Sequence, residues 1–514
     1  MSSFGQILQE IGEFGLFQKY LLIALCIVSV FKGFDVFSQV FVGMKFPHHC
    51  NTDWILNHGP NLTYERQKNL TLPVGEDGKF ESCKMFTPVN LSLETIEAFG
   101  INTTTECMTG WNYETRPGAS STVTEFDLVC DRSIWISASE SSYMAGYLFG
   151  TLAFGAISDR FGRRIAILLS MLGYTMFGAV TGFSLHIYFY MAIKFFSGFT
   201  GGVAFMNISI MAVEWTSPSK TAVCTMCIMV VHPIGLMLLP AIAYGVHSWR
   251  VLQLVLFCPV ILLVGLFFWF LPESARWLLT RGRKEEAQKL LERAARINKR
   301  KIQNDLLDNF ELENTSKSGS FLDVFRTSYL RKRTILMGWN WFATTLMYYG
   351  LALNIGSFGL NIYLTQFIFG LVEIPAYLAC LASTQYFGRR PSQAGYLLFG
   401  GAACLLFLVI PDDLPVFVTV TAVIGKFSST AAFSTAYLYT AELYPTFIRH
   451  SGFGLNSMCG RVGGICSPLI RALGVHHHAI PMLIYGIIPL VAGSLTFLLP
   501  ETLNVELQDH TDLK

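Results

Sequence analysis

Gly155-Ala156-Ile157-Ser158-Asp159-Arg160-Phe161-Gly162-Arg163-Arg164 stands between two long apolar runs, and its last three residues recur as Gly388-Arg389-Arg390, 226 positions on. Glu214 recurs as Glu442, and Pro272-Glu273-Ser274 as Pro500-Glu501-Thr502, each 228 positions on. One short charged match is weak. Three matches at a near-constant offset, each at the same place relative to the apolar runs, mark an internal duplication.

Composition sets the class. Apolar residues make up 52% of the 514, charged residues 14%, and the mean hydropathy is +0.45. A soluble domain carries about 25% charged residues. The net charge of +2 excludes a nucleic-acid partner, which needs a basic footprint. Apolar runs lie near 20–43, 137–157, 165–184, 187–213, 221–244, 251–271, 334–354, 362–386, 394–410, 416–439, 450–473 and 480–499. Most are close to the roughly 20 residues that cross a bilayer as a helix, and lipid offers backbone polar groups no other partner. The expected fold is all-α membrane, with twelve transmembrane helices in two six-helix halves. No cleavable signal peptide is apparent.

Arg281–Lys301 holds nine Lys or Arg against three Glu, and its pattern reads as an amphipathic helix on a membrane face. By the positive-inside rule it is cytoplasmic. Both termini then lie in the cytoplasm. The chain divides into an N-terminus and first helix (1–43), an extracellular loop (44–136), helices two to six (137–271), a cytoplasmic loop (272–333), helices seven to twelve (334–499) and a cytoplasmic tail (500–514). The outer loop carries Cys50, Cys83, Cys107 and Cys130, and N-x-S/T sequons at Asn61, Asn69, Asn90 and Asn102. These fit an oxidising, glycosylating compartment. Two disulfides are expected, and three pairings are open. Sequons at Asn207 and Asn314 fall in a span and in the cytoplasmic loop, where they stay silent.

The duplicated six-helix unit with its Gly155–Arg164 loop resembles the major facilitator superfamily. The large cysteine-bearing loop, Phe126-Asp127-Leu128-Val129-Cys130, Tyr143-Met144-Ala145-Gly146, Pro272-Glu273-Ser274-Ala275-Arg276-Trp277-Leu278 and Ala441-Glu442-Leu443-Tyr444-Pro445-Thr446 resemble solute carrier family 22, over nearly the whole chain. Glu10-Ile11-Gly12-Glu13-Phe14-Gly15 looks closest to the nicotinate- and urate-carrying subgroup of its organic anion branch. The resemblance implies alternating access, with a charged cytoplasmic gate formed by Asp159, Arg160, Arg163, Arg164, Glu214, Arg389, Arg390 and Glu442. Simple anchoring of helix ends is the competing reading of that motif.

Arg461 lies near the middle of the eleventh span. An arginine there costs about 2.5–3.5 kcal/mol or more to insert, so it needs a wet cavity or a partner. Organic-anion members resemble this chain in an Arg461-Val462-Gly463-Gly464-Ile465 motif, where cation members carry Asp. The planar guanidinium suits a carboxylate. An ion pair with Glu373 or Asp35 is the structural alternative. Lys32 and Asp35, three apart, share a helical face and either neutralise each other or line the cavity as binding residues, and Glu373, in the eighth span before Ile374-Pro375, has the same two readings. Tyr348, Tyr349, Phe433 and Tyr437 supply flat apolar rings with polar tips. Tyr377 stands where organic-anion members carry a basic residue. His232 precedes Pro233, which corresponds to Arg461 across the duplication, and so approaches the cavity from the other half.

The expected function is a plasma-membrane transporter of small organic anions, such as aromatic monocarboxylates, nicotinate or urate, exchanged for an intracellular counter-anion. The expected transport unit is a monomer in the lipid bilayer. A carrier of organic cations or carnitine-like zwitterions is the alternative, and a non-transporting receptor a second one. No catalytic dyad, Walker loop or metal-ligand spacing is present, so neither an enzyme nor a cofactor or metal site is expected. His476-His477-His478 reads as a solvated turn.

Overall fold

The structure is a computed structural model that describes residues 4–75, 78–217, 220–300, 324–325, 327–358, 360–411, 414–444, 448–477 and 479–503. Asn314, Pro445, Thr446, His478 and the tail from 504 lie outside them. Two compact units form: one from Met1–Val40, Ser137–Gly245 and Arg250–Lys514, the other from Phe41–Ile136 with Val246–Trp249.

The first unit is a bundle. Its long helices are α1 (Leu16–Lys32), α2 (Ile134–Phe161), α3 (Arg163–Thr181), α4 (Ile187–Glu214), α5 (Thr221–Gly245), α6 (Trp249–Phe270), α7 (Ser328–Leu353), α8 (Ile362–Tyr386), α9 (Arg389–Leu406), α10 (Pro415–Leu443), α11 (Arg449–Ala472) and α12 (Ala479–Thr496). The apolar runs read from the sequence fall on these helices, the first of them only in part. Among the described residues α3, α4, α5 (from Val223), α6, α8, α10 and α12 are long and apolar enough to cross a membrane by length and composition alone.

The first run departs from expectation. Instead of one helix over 20–43, α1 stops at Lys32 and a short helix restarts at Ser38–Val42. Between them the backbone tightens to i→i+3 bonds: Gly33 to Val30, Phe34 to Phe31 and Asp35 to Lys32. Ser38 Oγ donates to the Asp35 carbonyl at 2.8 Å, which holds the break in place. The charged Lys32–Asp35 step therefore sits at an interruption rather than on a continuous helical face.

Glycine explains the duplicated loop. Gly162 and Gly388 precede α3 and α9 at φ +103° and +99°, a region that side-chain-bearing residues rarely adopt. A Cβ there would stand 2.3 Å from Glu273 Oε2 and 2.6 Å from Glu501 Oε2. The same two carboxylates accept the first N–H groups of α3 and α9, so each caps a helix start.

The basic helix Lys284–Ile297 is amphipathic as expected. Its buried Ala287 joins Trp277, Leu278 and Leu279, with Phe4 and Leu290 against them. That apolar stripe packs on protein.

Among its described residues the second unit has two two-stranded antiparallel sheets, His48–Cys50 with Trp111–Tyr113 and Lys84–Phe86 with Thr104–Glu106. The pairing left open by the sequence is Cys50–Cys107 and Cys83–Cys130. Asn61, Asn69, Asn90 and Asn102 are all exposed, whereas Asn207 is buried in α4. His48, Cys83 and Cys130 cluster closely, but both sulfurs are spent in a disulfide and leave no thiolate ligand.

Candidate functional site

A cavity of about 450 Å³ lies between the two halves of the bundle, within the usual size range of small-molecule sites. The first half contributes Lys32, Val36, Phe37, Tyr147, Phe205, Met206, Ser209, Met229 and His232. The second contributes Tyr348, Tyr349, Tyr377, Thr430, Phe433, Tyr437, Phe453, Ser457 and Arg461. Towards the Gly162 end the lining continues to Glu214 and Arg276.

The walls are mutually braced rings. Tyr348 stacks on Phe433 with centroids 5.7 Å apart, Phe37 stacks on Tyr349 at 6.4 Å, and Trp341 meets Tyr437 at 4.7 Å. Each such pair adds about 0.5–1.5 kcal/mol beyond area burial. The result is a rigid apolar slot.

Charges are distributed unevenly around it. Lys32 Nζ lies 2.7 Å from Asp35 Oδ2, and Tyr143 donates its hydroxyl to the same oxygen. Lys426 Nζ lies 2.7 Å from Glu373 Oε1 and 3.4 Å from the Tyr348 ring centroid. Tyr348 donates to Glu373 at 2.6 Å, and His232 Nδ1 is 3.6 Å from Oε2. Arg461 differs. Among the described residues no carboxylate lies within 4 Å of its guanidinium, and its buried Nε has no hydrogen-bond partner. The guanidinium rests on the face of Tyr147, 3.8 Å from the centroid. Arg461 is only 7% exposed, and it lines the cavity with the Tyr437 hydroxyl beside it and no carboxylate to neutralise its charge among the described residues.

All of the candidate binding residues except Asp35 and Glu373 line this cavity. Asp35 and Glu373 sit behind the wall and neutralise Lys32 and Lys426, so the alternative of a structural pair with Arg461 does not occur. The sequence reading missed Lys426, Tyr147, Phe37, Arg276 and Phe453. Tyr147 directly follows the Tyr143–Gly146 motif, and Arg276 lay inside a quoted one. Lys426 sits mid-span in Gly425-Lys426-Phe427-Ser428 and carried the same intramembrane-charge signal as Arg461.

The motif charges form two similar clusters. Arg163 meets Asp159 at 2.7 Å and Glu214 at 3.2 Å, and Arg389 meets Glu442 at 2.9 Å through two nitrogens. Thr502 Oγ1 also donates to Glu442, at 2.7 Å. Arg164 reaches the Phe268 carbonyl, Arg390 contributes its backbone N–H, and Arg160 stays exposed over the Phe161 ring. Among the described residues each of these contacts stays within its own half, where it braces helix ends. Burial pushes the Glu273 carboxyl up, and the N–H groups of Ser274, Arg164 and Arg163 do not cancel it. Burial raises Glu501 too, but the N–H groups of Arg389, Leu503, Thr502 and Arg390 outweigh it and leave the carboxyl below its ordinary range.

Residues 90–513 match the family described as sugar (and other) transporter. Solute carrier family 22 member 13 of Homo sapiens is 44% identical over 99% of this chain and 92% of its own length. Organic anion transporter 3 of Homo sapiens is 36% identical over 99% and 92%. Among solved structures, the xylose transporter XylE from E. coli in a partially occluded inward-open conformation superposes with a TM-score of 0.60. It covers 95% of this chain and 98% of that one at 12% identity, a likeness of fold alone.

Proposed function

Because this chain belongs to solute carrier family 22 of the major facilitator superfamily, a family of transporters and not enzymes, we propose that it carries small organic anions across the plasma membrane by alternating access. Nicotinate, urate and other flat monocarboxylates are the proposed class. The termini are cytoplasmic in this reading, and the disulfide-bonded 44–136 segment is extracellular.

The observation that carries the reading is the solitary charge of Arg461 in an aromatic slot. Desolvating a carboxylate is costly unless a fixed opposite charge receives it. The guanidinium offers a planar pair of donors, and the rings offer faces to a flat body. Lys32 and Lys426 do not compete for the anion, since each already has a carboxylate. Arg276 adds a second guanidinium nearer the cavity mouth, and among the described residues it too lacks a carboxylate within 4 Å. His232 and Tyr377 complete the wall and tune its shape.

Exchange follows from the same charge. A closed, empty carrier would hold Arg461 buried without a partner, which costs several kcal/mol. With an anion bound the site is neutral and the loaded carrier passes through the closed state. The empty carrier returns slowly, so an intracellular anion has to occupy it on the way back.

Uptake in expressing cells tests this with labelled nicotinate, urate, tetraethylammonium and carnitine, with and without preloaded internal anion. Saturable anion uptake, accelerated by the internal anion, is expected. Uptake of the cation or carnitine in preference to both anions would overturn the assignment.

A further inference from the structure

Glu140 on α2 and Arg471 on α11 meet at 2.5 Å, and the Glu140 side chain is 4% exposed. Arg471 also donates to the Leu353 carbonyl at 2.7 Å, and Ser141 Oγ donates to the Ile465 carbonyl at 2.8 Å. The Glu140–Arg471 and Ser141–Ile465 contacts join the halves at the end of the bundle away from Gly162 and Gly388. Opening a passage here requires Arg471 to leave Glu140. A buried carboxylate stripped of its cation is strongly unfavourable.

Beside Glu140 lies a small chamber of about 10 Å³, lined by Val36 and by the polar residues Asp35, Gln39, Ser139, Glu140, Tyr143 and Lys194. It has room for about one water. Lys194, on α4, is 4% exposed. Among the described residues no carboxylate lies within 4 Å of its ammonium, which is 5.6 Å from the Tyr190 ring centroid and shares the chamber with the Asp35 and Glu140 carboxylates. Asp35 already holds Lys32. The chamber thus sets a cation with no carboxylate within 4 Å, among the described residues, beside a carboxylate that pairs with Arg471 of the other half.

We infer that Glu140 exchanges partners during transport: Arg471 holds it while this end is shut, and Lys194 receives it when the end opens. The inference rests on the alternating-access reading. Glu140 and Lys194 travel together, because α2 and α4 are in close backbone contact. A Cβ on Gly146 would stand 1.9 Å from the Phe195 carbonyl oxygen, and one on Gly198 2.0 Å from that of Tyr143. Arg471 departs with the second half. Lys194 touches no substrate and acts as a positioning residue for the open state.

The test measures the distance between spin labels at Leu185→Cys and Val475→Cys, both exposed sites at this end. It uses the purified full-length protein with its free cysteines replaced, without added ligand. Wild type should show a short and a long population. Lys194→Gln should deplete the long one about tenfold or more, and Lys194→Arg should restore it. In a Glu140→Gln background, Lys194→Gln should change nothing. An unchanged ratio in Lys194→Gln, or an equal shift in both backgrounds, would overturn the exchange of partners. A single short population in both wild type and Arg471→Gln would remove alternating access itself, and the inference with it.

Discussion

Lys426 and Arg461 are both buried cations on neighbouring helices of the second half, and the structure treats them in opposite ways. Lys426 is 1% exposed and locked to Glu373, which also takes the Tyr348 hydroxyl and faces His232. Arg461 has an aromatic face and no carboxylate within 4 Å among the described residues. A buried charge with a built-in counter-charge belongs to the scaffold. One without it is left for something that comes and goes. The contrast predicts that mutations at the two sites fail differently.

The largest effect is expected from Arg461→Ala. Losing the counter-charge of a desolvated anion costs about 2–5 kcal/mol, so anion uptake per transporter at the surface should fall on the order of 100-fold, with surface abundance near wild type. Surface biotinylation alongside uptake separates the two. Loss of abundance in proportion to uptake would move Arg461 into the scaffold class.

Glu373→Gln should show the converse. It strands Lys426 in the core, at a cost of about 3–5 kcal/mol, and should lower thermal stability and surface abundance together. Adding Lys426→Met removes the stranded charge and should recover most of the abundance. A double variant as unstable as the single one would mean that the pair does not neutralise itself as described.

Smaller changes sharpen the contrast. Arg461→Lys keeps the charge and loses the planar fork, so apparent affinity for a carboxylate should weaken about tenfold with abundance unchanged. Phe433→Leu removes the stacking partner of Tyr348 and should raise the KM of a flat anion about 2–10-fold, the size of one aromatic pair. Concentration-dependent uptake checks both.

Much of this arrangement is legible in the sequence because hydropathy and duplication are local signals. The spans follow from apolar length, and the clusters around Arg163 and Arg389 follow from an offset anyone can count. Arg461 stands out as a charge in mid-span. The interruption after Lys32 was hidden because Phe34, Val36 and Phe37 keep the run apolar while the backbone turns. The pairings are least legible. Glu373 and Lys426 lie on different helices, and Glu140 and Arg471 are 331 positions apart. No periodicity links residues on helices that meet only after folding. Which carboxylate neutralises which cation, and hence which cation stays unpaired, required the packed bundle.

Binding of nicotinate and of its neutral isostere nicotinamide to purified wild type and Arg461→Ala tests the central claim most directly. The ring and its aromatic contacts are common to both ligands, so their affinity ratio reads what the charged, acceptor-only carboxylate adds over the neutral amide. The account predicts at least a tenfold preference for nicotinate in wild type, from a charge-assisted hydrogen bond of about 1.5–3 kcal/mol, and a ratio near one in Arg461→Ala. A folded Arg461→Ala protein that keeps the full preference would contradict it.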